Sequence, residues 1–389
     1  MKQYPNTEVV NGRHICPICQ QDFAFRSGFR RHYNNVHRDT GDAVGGTERG
    51  LGGEIDTKMT SIPLKSKTKA EKEKELLRNI KDIAQEVVQV LPKLQRLTPP
   101  IIKKGQLANE TWVLLFSDLH LGQLVRAIEV GGLSEYSPAI AKERVEGLAQ
   151  TIIRVREYHP NKPKELVIAC LGDMVDGSIM RGNQQSNIEF GVVKQVIEGV
   201  ELVSDFIVLL SGHFEKIRFY GVYGNHGRLT RSPTDAPPQE NFDLMLYHFV
   251  QQRFKGVKGV SIEYTEAQHM IVRVENHNLW LEHGDTVRGW AGYPYYGADR
   301  ERNNITAMLN LFNEKADYML IAHHHRLSYF NNIIANGAFP GGDLYSVGRL
   351  RRMNMPEQTL CAFHKRHGLV WLRPIQLADP SEMTVKIYE

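Results

Sequence analysis

Five short motifs rich in aspartate, asparagine and histidine recur in order through the last three-quarters of this 389-residue chain. They are Asp118-Leu119-His120, Gly172-Asp173, Gly224-Asn225-His226, His283-Gly284-Asp285 and His323-His324-His325. Carboxylate and imidazole groups are ligands of manganese, iron and zinc, and one carboxylate can bridge two cations. Most of these motifs are ordinary turns when taken singly, although three consecutive histidines fit neither a core nor a turn. Pooled in one fold, they predict two adjacent divalent-metal sites, an arrangement suited to hydrolysing phosphate esters.

The motifs come where predicted strands end, which is where open α/β sheets build their sites. The strands are predicted at 112–116, 165–171, 216–223, 269–275, 278–283 and 318–322, with a hairpin of 358–365 and 368–376. Helices are predicted at 138–158, opened by Ser137 and Pro138, at 191–211 and at about 299–315. This alternation predicts an α/β fold with a mixed sheet or sandwich and helices outside. In extended chain, Asp118 and His120 would point to one side, whereas His324 would point away from its neighbours.

The ordered set D-x-H, G-D-x-x-D, G-N-H, H-G and G-H-x-H resembles the signature of the calcineurin-like metallophosphoesterases. The resemblance covers about 110–330, with Ala322-His323-His324-His325 in place of the last motif. It implies a two-sheet β-sandwich flanked by helices, in a catalytic domain of 110–376. It also implies two metal sites that share Asp173. One would consist of Asp118, His120, Asp173 and His325, and the other of Asp173, Asn225, His283 and His323.

The same resemblance implies a mechanism. Two cations lower the pKa of a bridging water, and the resulting hydroxide attacks phosphorus in line. His226 would stand near the leaving oxygen, and Asp176 would orient it. Gly227 replaces the acidic residue that usually follows G-N-H, and Asp176-Gly177-Ser178 replaces the D-R-G of the protein phosphatases. Both departures argue against a serine/threonine protein phosphatase.

The N-terminal segment carries a second pattern. Cys16 and Cys19 are followed after twelve residues by His32 and after four more by His37. This spacing predicts a two-cysteine, two-histidine zinc finger at 12–38 with a ββα fold, in which one structural zinc supplies the folding energy. Its arginines suit phosphate contacts better than base reading, which favours a non-specific nucleic-acid clamp. A protein-docking finger and a purely structural finger are the alternatives.

Between the finger and the body, the sequence predicts a flexible linker at 39–65 and an amphipathic helix with its connector at 66–98. The apolar stripe of this helix either docks on its own domain, the favoured interpretation, or pairs with a second copy in a homodimer. Residues 1–105 hold 19 basic and 12 acidic side chains, whereas the remainder holds 29 and 32. A basic arm on a mildly acidic body fits a polyanionic partner, and simple solvation of the arm is the alternative.

Other features concern the compartment. No run of about 18 apolar residues occurs, so a membrane span is not expected. Residues 1–5 carry no apolar signal region, and Cys170 and Cys361 lie in apolar strand-like runs, which predicts reduced, buried thiols. These features favour a cytoplasmic protein. The finger joined to this core fits a mobile-element or phage protein of a bacterium, and a nuclear protein is the open alternative.

Loops after the motifs supply the candidate substrate contacts Arg288, Trp290, Arg228 and Arg181. The sequence therefore predicts a two-metal phosphodiesterase acting on nucleic acid, a DNA exonuclease or endonuclease, closest in type to the nuclease subunits of DNA-repair complexes. Manganese is the expected metal, with iron or zinc as alternatives. A phosphoesterase for a small nucleotide is the first alternative function, and a non-catalytic scaffold is the second.

Overall fold

The computed structural model describes residues 110–379 apart from 181, 183, 233–234, 236, 238, 290–293 and 349–350. It also gives the backbone of three short N-terminal strands, β1 Glu8–Val10, β2 Arg13–Ile15 and β3 Asp22–Phe23, which pair antiparallel. These strands belong to a compact unit Met1–Glu71, and a second unit comprises Lys72–Glu389. The predicted finger ligands Cys16, Cys19, His32 and His37, the linker at 39–65 and the segment at 66–98 lie outside the described residues.

The larger unit contains eleven of the described strands and five of the described helices. The strands are β4 Glu110–Phe116, β5 Glu165–Cys170, β6 Lys216–Gly221, β7 Val260–Tyr264, β8 His269–Val274, β9 His277–Glu282, β10 Tyr318–Ile321, β11 Ser328–Phe330, β12 Ile333–Ala335, β13 Glu357–His364 and β14 Gly368–Gln376. The helices are α1 Pro138–Tyr158, α2 Val192–Ser211, α3 Phe242–Arg253, α4 Tyr295–Asn310 and α5 Leu344–Gly348.

The strands form two sheets. The larger sheet has the order β14-β13-β4-β5-β6-β7, in which β4 to β7 run parallel and β13 pairs antiparallel with β4 and β14. The smaller sheet has the order β11-β12-β10-β9-β8, with β9, β10 and β12 parallel. Because parallel strands end at the same edge, each sheet presents several strand ends side by side.

The two sheets pack face to face and carry helices on their outer faces. Val113, Leu115 and Val167 of the larger sheet pack with Leu279 and Leu281 of the smaller one in a buried apolar layer. The alternate residues of the larger sheet pack under the helices α1 to α3. The outer face of the smaller sheet packs under α4. The continuous apolar run of β4 is explained by this burial on both faces.

The fold class predicted from the sequence, an α/β two-sheet sandwich flanked by helices, is confirmed by this architecture. Helix α1 begins as predicted, with Pro138 in its first turn and the Ser137 side chain accepting a hydrogen bond from Ile140 N. The strand β7 and the helices α3 and α5 were not anticipated. Helix α3 has apolar residues around most of its circumference, so the usual amphipathic period is weak there.

Two further expectations concern burial and membranes. Cys170 and Cys361 are both buried free thiols, as predicted, and burial raises the pKa of each. Within the described ranges, no helix has the length and the apolar character needed to cross a membrane.

Candidate metal centre

Three adjacent strand ends of the larger sheet bring the first three motifs together. Strands β4, β5 and β6 are parallel neighbours, and the loops after them are tied to one another by the backbone. Asp118 N donates to Gly172 O at 3.0 Å, and His120 N donates to Asp173 O at 3.0 Å. On the smaller sheet, the ends of the parallel strands β9 and β10 are joined by a 2.8 Å hydrogen bond from Ala322 N to His283 O. The five motifs therefore converge at one edge of the sandwich.

One group of side chains consists of Asp118, His120 and His325, whose potential ligand atoms all lie within 4.8 Å of one another. His325 Nε2 is 3.2 Å from Asp118 Oδ1 and 3.1 Å from His120 Nε2. Asp118 and His120 are almost completely buried, and His325 is partly exposed. This group has the carboxylate and imidazole donors that a divalent cation prefers.

A second group consists of Asp173, His283 and His323. The His283 Nε2 atom is its centre, 3.1 Å from Asp173 Oδ2, 3.0 Å from Asn225 Oδ1 and 3.3 Å from His323 Nδ1. The other ring nitrogen, Nδ1, is 2.7 Å from Leu171 O, which turns Nε2 towards the group. Three predicted ligands, Asp173, Asn225 and His323, thus surround a nitrogen of the fourth, His283.

Asp173 connects the two groups and a third one. His120 Nε2 is 3.9 Å from Asp173 Oδ2, and a further group unites His120, Asp173 and His226. His226 N donates to Asp173 Oδ1 at 2.8 Å. The structure therefore brings together all seven residues that the sequence proposed as ligands, with Asp173 between the two sets.

His226 and Asp176 are in contact at the rim of this cluster. His226 Nδ1 lies 2.9 Å from Asp176 O and 3.3 Å from Asp176 Oδ1. The same carboxylate oxygen is 3.2 Å from His120 Nδ1. Because a carbonyl oxygen can only accept, His226 carries its proton on Nδ1 when neutral. Asp176 therefore positions two imidazoles at once.

The backbone at the motifs is left-handed rather than extended. Positive φ values occur at Asp118 (52°), His120 (44°), Asp173 (55°), His323 (66°) and His325 (53°). Residues other than glycine rarely adopt this backbone conformation, and several such residues close together mark a functional site. The alternation argument made from the sequence was therefore wrong here, because these residues lie in turns. Asp118 and His120 converge because of the left-handed turns.

Glycines allow the close approach of the two central loops. A Cβ on Gly172, whose φ is 88°, would lie 2.3 Å from Gly224 N, and one on Gly224 would lie 2.1 Å from Asp173 Oδ1. Only a residue without a side chain fits at either position. The glycines of these two motifs are thus explained by loop packing against the ligand Asp173.

The charges of the cluster favour a cation. Burial alone would raise the pKa of Asp173, but His283 and His226 hold it well below its usual value. Burial and His226 lower the pKa of His120, and burial and His283 lower that of His323, so both rings are neutral. Burial lowers the pKa of His283, yet Asp173 raises it to about 10, so positive charge is favoured between these side chains.

The donor set also fits a metal through its unpaired atoms. Asp118 Oδ1 is buried and accepts no hydrogen bond within the described part of the chain. With its Nδ1 facing Asp176, the neutral His120 ring presents its Nε2 lone pair to His325 Nε2, only 3.1 Å away. Electron-rich atoms this close require a proton or a cation between them. The residues present therefore fit divalent metal.

Several supporting residues were not found from the sequence. The buried Asp243 carboxylate accepts from Asp173 N at 2.8 Å, Met174 N at 3.0 Å and Gly224 N at 2.9 Å, and so fixes both central loops. Burial and the nearby Asp173 raise its pKa to about 6. Asn241 caps the same helix, α3, and donates to Gly224 O. The available signal was the Asn-x-Asp capping pattern at the start of α3.

Hydrogen bonds from other side chains also hold the carboxylates of Asp118 and Asp176 in place. Ser117 Oγ donates to Asp118 Oδ2 at 2.7 Å and accepts from Asn336 Nδ2 at 2.9 Å. Asn336 directly follows β12 and is fully buried. Gln184 Nε2 donates to Asp176 Oδ2 at 2.9 Å. Such partners of ligand side chains tune metal affinity and activity.

The four residues proposed to contact the substrate differ in their surroundings. Arg228 forms an ion pair with Asp285, in which both side chains are largely buried, so the two loops that carry Asn225 and His283 are linked there. Arg288, which follows the His283 motif in the chain, is exposed. Arg181 and Trp290 lie outside the described residues.

Comparison with known proteins identifies the family. A family model described as calcineurin-like phosphoesterase matches residues 111–354, more than half of the chain. The chain belongs to the calcineurin-like phosphoesterases. Within this family, the glycine that replaces the usual acidic residue after G-N-H has a local cause. A Cβ on Gly227 would lie 2.1 Å from Asn241 Oδ1, the atom that caps α3.

One curated relative is the SPbeta prophage-derived uncharacterized protein YonJ of Bacillus subtilis (strain 168). It is 21% identical over 246 residues, which are 61% of this chain and 56% of YonJ. The phosphoesterase chain thus spans little more than half the length of that relative.

Solved structures with a similar fold include Vps29 of Entamoeba histolytica in complex with zinc, 10% identical, covering 69% of this chain and 100% of that chain at a TM-score of 0.26. A second is a conserved uncharacterized protein, a predicted phosphoesterase, of Streptococcus pneumoniae TIGR4. It is 11% identical and covers 69% of this chain and 98% of that chain at a TM-score of 0.24. A third is the phosphopantetheinyl hydrolase of Mycobacterium tuberculosis, which is 13% identical and covers 71% of this chain and 99% of that chain at a TM-score of 0.25. TM-scores at this level carry no inference about substrate.

Proposed function

We propose that this phosphoesterase is a metal-dependent nuclease that hydrolyses phosphodiester bonds of DNA. The observation that carries the hydrolytic part is Asp173, a buried carboxylate that belongs to two of the three His/Asp groups and lies 3.9 Å from His120 of the other. A carboxylate between two ligand sets is what a two-metal site requires. The family supplies the reaction class, phosphoester hydrolysis, and the substrate is the finer part of the proposal.

The residues assigned to metal binding form two sets. Asp118, His120, Asp173 and His325 would hold one ion, and Asp173, Asn225, His283 and His323 the other. Manganese suits this mixture of oxygen and nitrogen donors, and iron or zinc would suit it as well. When bound, two such ions polarise the phosphoryl oxygens and lower the pKa of water, which supplies the nucleophile.

The protein itself contributes a general acid, His226, which would donate a proton to the leaving oxygen. Its Nδ1 is held by Asp176, and the other ring nitrogen, Nε2, would act on the oxygen that leaves. A protonated imidazole there would donate to the developing alkoxide, a step that typically contributes about 10²–10⁴-fold. Gln184, at 2.9 Å from Asp176 Oδ2, keeps the carboxylate in place.

Support for a nucleic-acid substrate comes from the arm. Residues 1–105 carry 19 basic against 12 acidic side chains, and the cysteine and histidine spacing of a finger lies within them. Positive segments neutralise phosphates and recruit polymers irrespective of sequence. The prophage origin of the relative YonJ supports a phage or mobile-element role in a bacterial cytoplasm.

The test uses the full-length protein with added manganese. End-labelled single-stranded DNA, duplex DNA and RNA are digested in parallel with bis-p-nitrophenyl phosphate, and Asp118→Ala serves as the blank. We expect DNA cleavage that disappears in Asp118→Ala and in His325→Ala. His226→Ala should keep its metal, measured by elemental analysis, but turn over at least about 100-fold more slowly.

The outcomes separate the alternatives. A product ladder distinguishes exonuclease from endonuclease attack. Hydrolysis of bis-p-nitrophenyl phosphate without cleavage of any polymer would replace the nuclease with a phosphoesterase for small nucleotides. A full-length protein that binds no metal at the residues of the two sets would indicate a non-catalytic scaffold. Replacing Arg26, Arg30 and Arg31 with alanine tests the arm, since DNA cleavage should weaken while the small ester is hydrolysed as before.

A further inference from the structure

A cavity of about 250 Å³ lies on the outer face of the smaller sheet, between β8, β9 and the helix α4. Its lining includes Trp280, Glu282, His269, Asp285, Glu301 and Asn304. His283 and Gly284 also line it, so the cavity reaches the edge of the sheet where the metal centre lies. The catalytic proposal uses none of the side chains on the β9 face of this cavity.

The most informative side chain in the cavity is Glu282. It is only 8% exposed, and its Oε2 atom accepts a 2.8 Å hydrogen bond from Trp280 Nε1. Its Oε1 atom is buried and has no hydrogen-bond partner within the described ranges. A buried carboxylate oxygen without a donor is costly, so such an atom in a cavity indicates a ligand that donates to it.

Strand alternation explains why Glu282 is directed into the cavity. Leu279 and Leu281 point into the layer between the sheets, and Trp280 and Glu282 point to the opposite face, towards α4. The carboxylate therefore lies on the outer face of the smaller sheet, beside the next residue His283, which also lines the cavity. Its place in the fold is that of a lining residue rather than of a ligand.

The charges and shape of the cavity define the ligand. Glu282 and Glu301 are acidic, Asp285 is already paired with Arg228, and the described lining contains no lysine or arginine, so N–H donors are favoured over phosphate. His269 stacks on Trp280 with ring centroids 4.0 Å apart and an interplanar angle of 11°. Trp280 is only 3% exposed, so the aromatic surface open to a ligand is the exposed His269 ring, and this ring beside carboxylate acceptors suits a heterocycle that carries an amino group.

We propose that this cavity binds the amino-bearing base of a nucleotide adjacent to the scissile phosphodiester. The inference rests on the proposed nuclease function and adds base preference to it. The exocyclic amino group of adenine or cytosine would donate to Glu282 Oε1. Thymine and uracil present a carbonyl oxygen at the corresponding position, which would face the carboxylate without a proton between them.

The expected preference is about ten- to hundredfold in kcat/KM, the range of one hydrogen bond to a charged group. The first experiment compares end-labelled homopolymers of deoxyadenosine, deoxycytidine and thymidine with the full-length manganese enzyme. Glu282→Gln should bring the ratio of deoxyadenosine to thymidine cleavage close to one, because an amide can donate as well as accept. The matched control is Glu314→Gln, the same change at an exposed site outside the lining, which should keep the wild-type ratio.

A second experiment does not depend on turnover. Binding of deoxyadenosine and of thymidine to the full chain is measured by calorimetry, with Glu301→Gln as an independent variant on the α4 side of the cavity. We expect deoxyadenosine to bind at least about tenfold more tightly, and this difference to shrink in Glu301→Gln. Should Glu282→Gln fail to fold, this measurement with the wild type still decides the question.

The outcomes distinguish this inference from the nuclease proposal. Polymer cleavage without base preference, together with equal binding of the two nucleosides, would refute the base site and leave the nuclease standing. Selective deoxyadenosine binding without polymer cleavage would support the cavity and refute the nuclease. Binding of spermidine but of neither nucleoside would overturn the base site in favour of a polyamine site.

Discussion

Replacing Gly224 with alanine is the sharpest test of how the two central loops hold the metal centre. The new Cβ would lie 2.1 Å from Asp173 Oδ1 and 2.4 Å from Asp173 N. An ordinary contact begins at 3.4 Å, so the shared carboxylate would have to move by about 1 Å. Neither the carboxylate nor its backbone is free to move, because Asp243 holds Asp173 N and Gly224 N together.

The magnitude follows from that displacement. Misplacing a catalytic group by about 1 Å costs on the order of 100-fold in rate, and overpacking a close-packed interior costs about 1–3 kcal/mol of stability. We therefore expect Gly224→Ala to fold with a lower free energy of unfolding, to bind less metal, and to hydrolyse bis-p-nitrophenyl phosphate at least about 100-fold more slowly.

The assay combines three measurements on purified full-length protein: bound metal by elemental analysis, ester hydrolysis at saturating manganese, and unfolding in urea. The matched control is Gly147→Ala, since a Cβ on this exposed residue of α1 meets nothing within 4 Å. That control should keep full activity, and its free energy of unfolding should rise by about 0.5–1 kcal/mol, because glycine destabilises a helix relative to alanine. Gly224→Ala with the metal content and rate of the control would refute the reasoning about loop packing.

Three further predictions concern the supports of the centre and the metal itself. Ser117→Ala removes the donor to Asp118 Oδ2, and we expect manganese affinity, measured by titration, to fall about 10- to 100-fold. Asp176→Asn removes the charge beside His226 Nδ1 and beside Nδ1 of the ligand His120, so we expect kcat to fall about 10²–10⁴-fold and manganese affinity to fall at least about tenfold. Manganese at about a thousand times its dissociation constant should stabilise the folded chain by about 4 kcal/mol, visible as a higher melting temperature, and Asp173→Ala should abolish this shift.

Each of these has its own control. Ser204→Ala removes a buried hydroxyl from α2 that bonds only within its helix, and it should leave metal affinity intact. Asp205→Asn repeats the charge change at an exposed position of α2 and should leave kcat intact. An unchanged metal affinity in Ser117→Ala would show that Asp118 needs no orienting partner. A full manganese shift in Asp173→Ala would remove that carboxylate from the centre.

The sequence determined much of the fold because its signals are local. Helix α1 was predicted at its observed bounds, since Ser137 and Pro138 mark its start and its apolar period is regular. Strands β4, β5 and β6 were found within two residues of their ends, because buried parallel strands are continuous apolar runs. Helix α3 was missed, because a helix packed on several sides loses the amphipathic pattern.

The candidate site was anticipated by residue type and order, and its geometry was not. The spacing of the motifs along the chain matched the family's signature, and all seven proposed ligands come together. The sequence did not show that Asp118, His120 and Asp173 occupy left-handed turns, since φ depends on the hydrogen bonds of each loop with its neighbours. The extended backbone assumed for Asp118 and His120 was therefore wrong, although their side chains do come together.

What the sequence by itself determined is the chemistry available, because ligand types, their order and the charge of the arm are properties of composition and spacing. Only the tertiary structure decided which groups support that chemistry. Asp243 is 70 residues from Asp173, and Asn336 is 219 residues from Ser117, yet each pair is hydrogen-bonded. Contacts at such separations leave no periodic trace in the chain. They exist because parallel strands from distant parts of the sequence end at one edge of the sandwich.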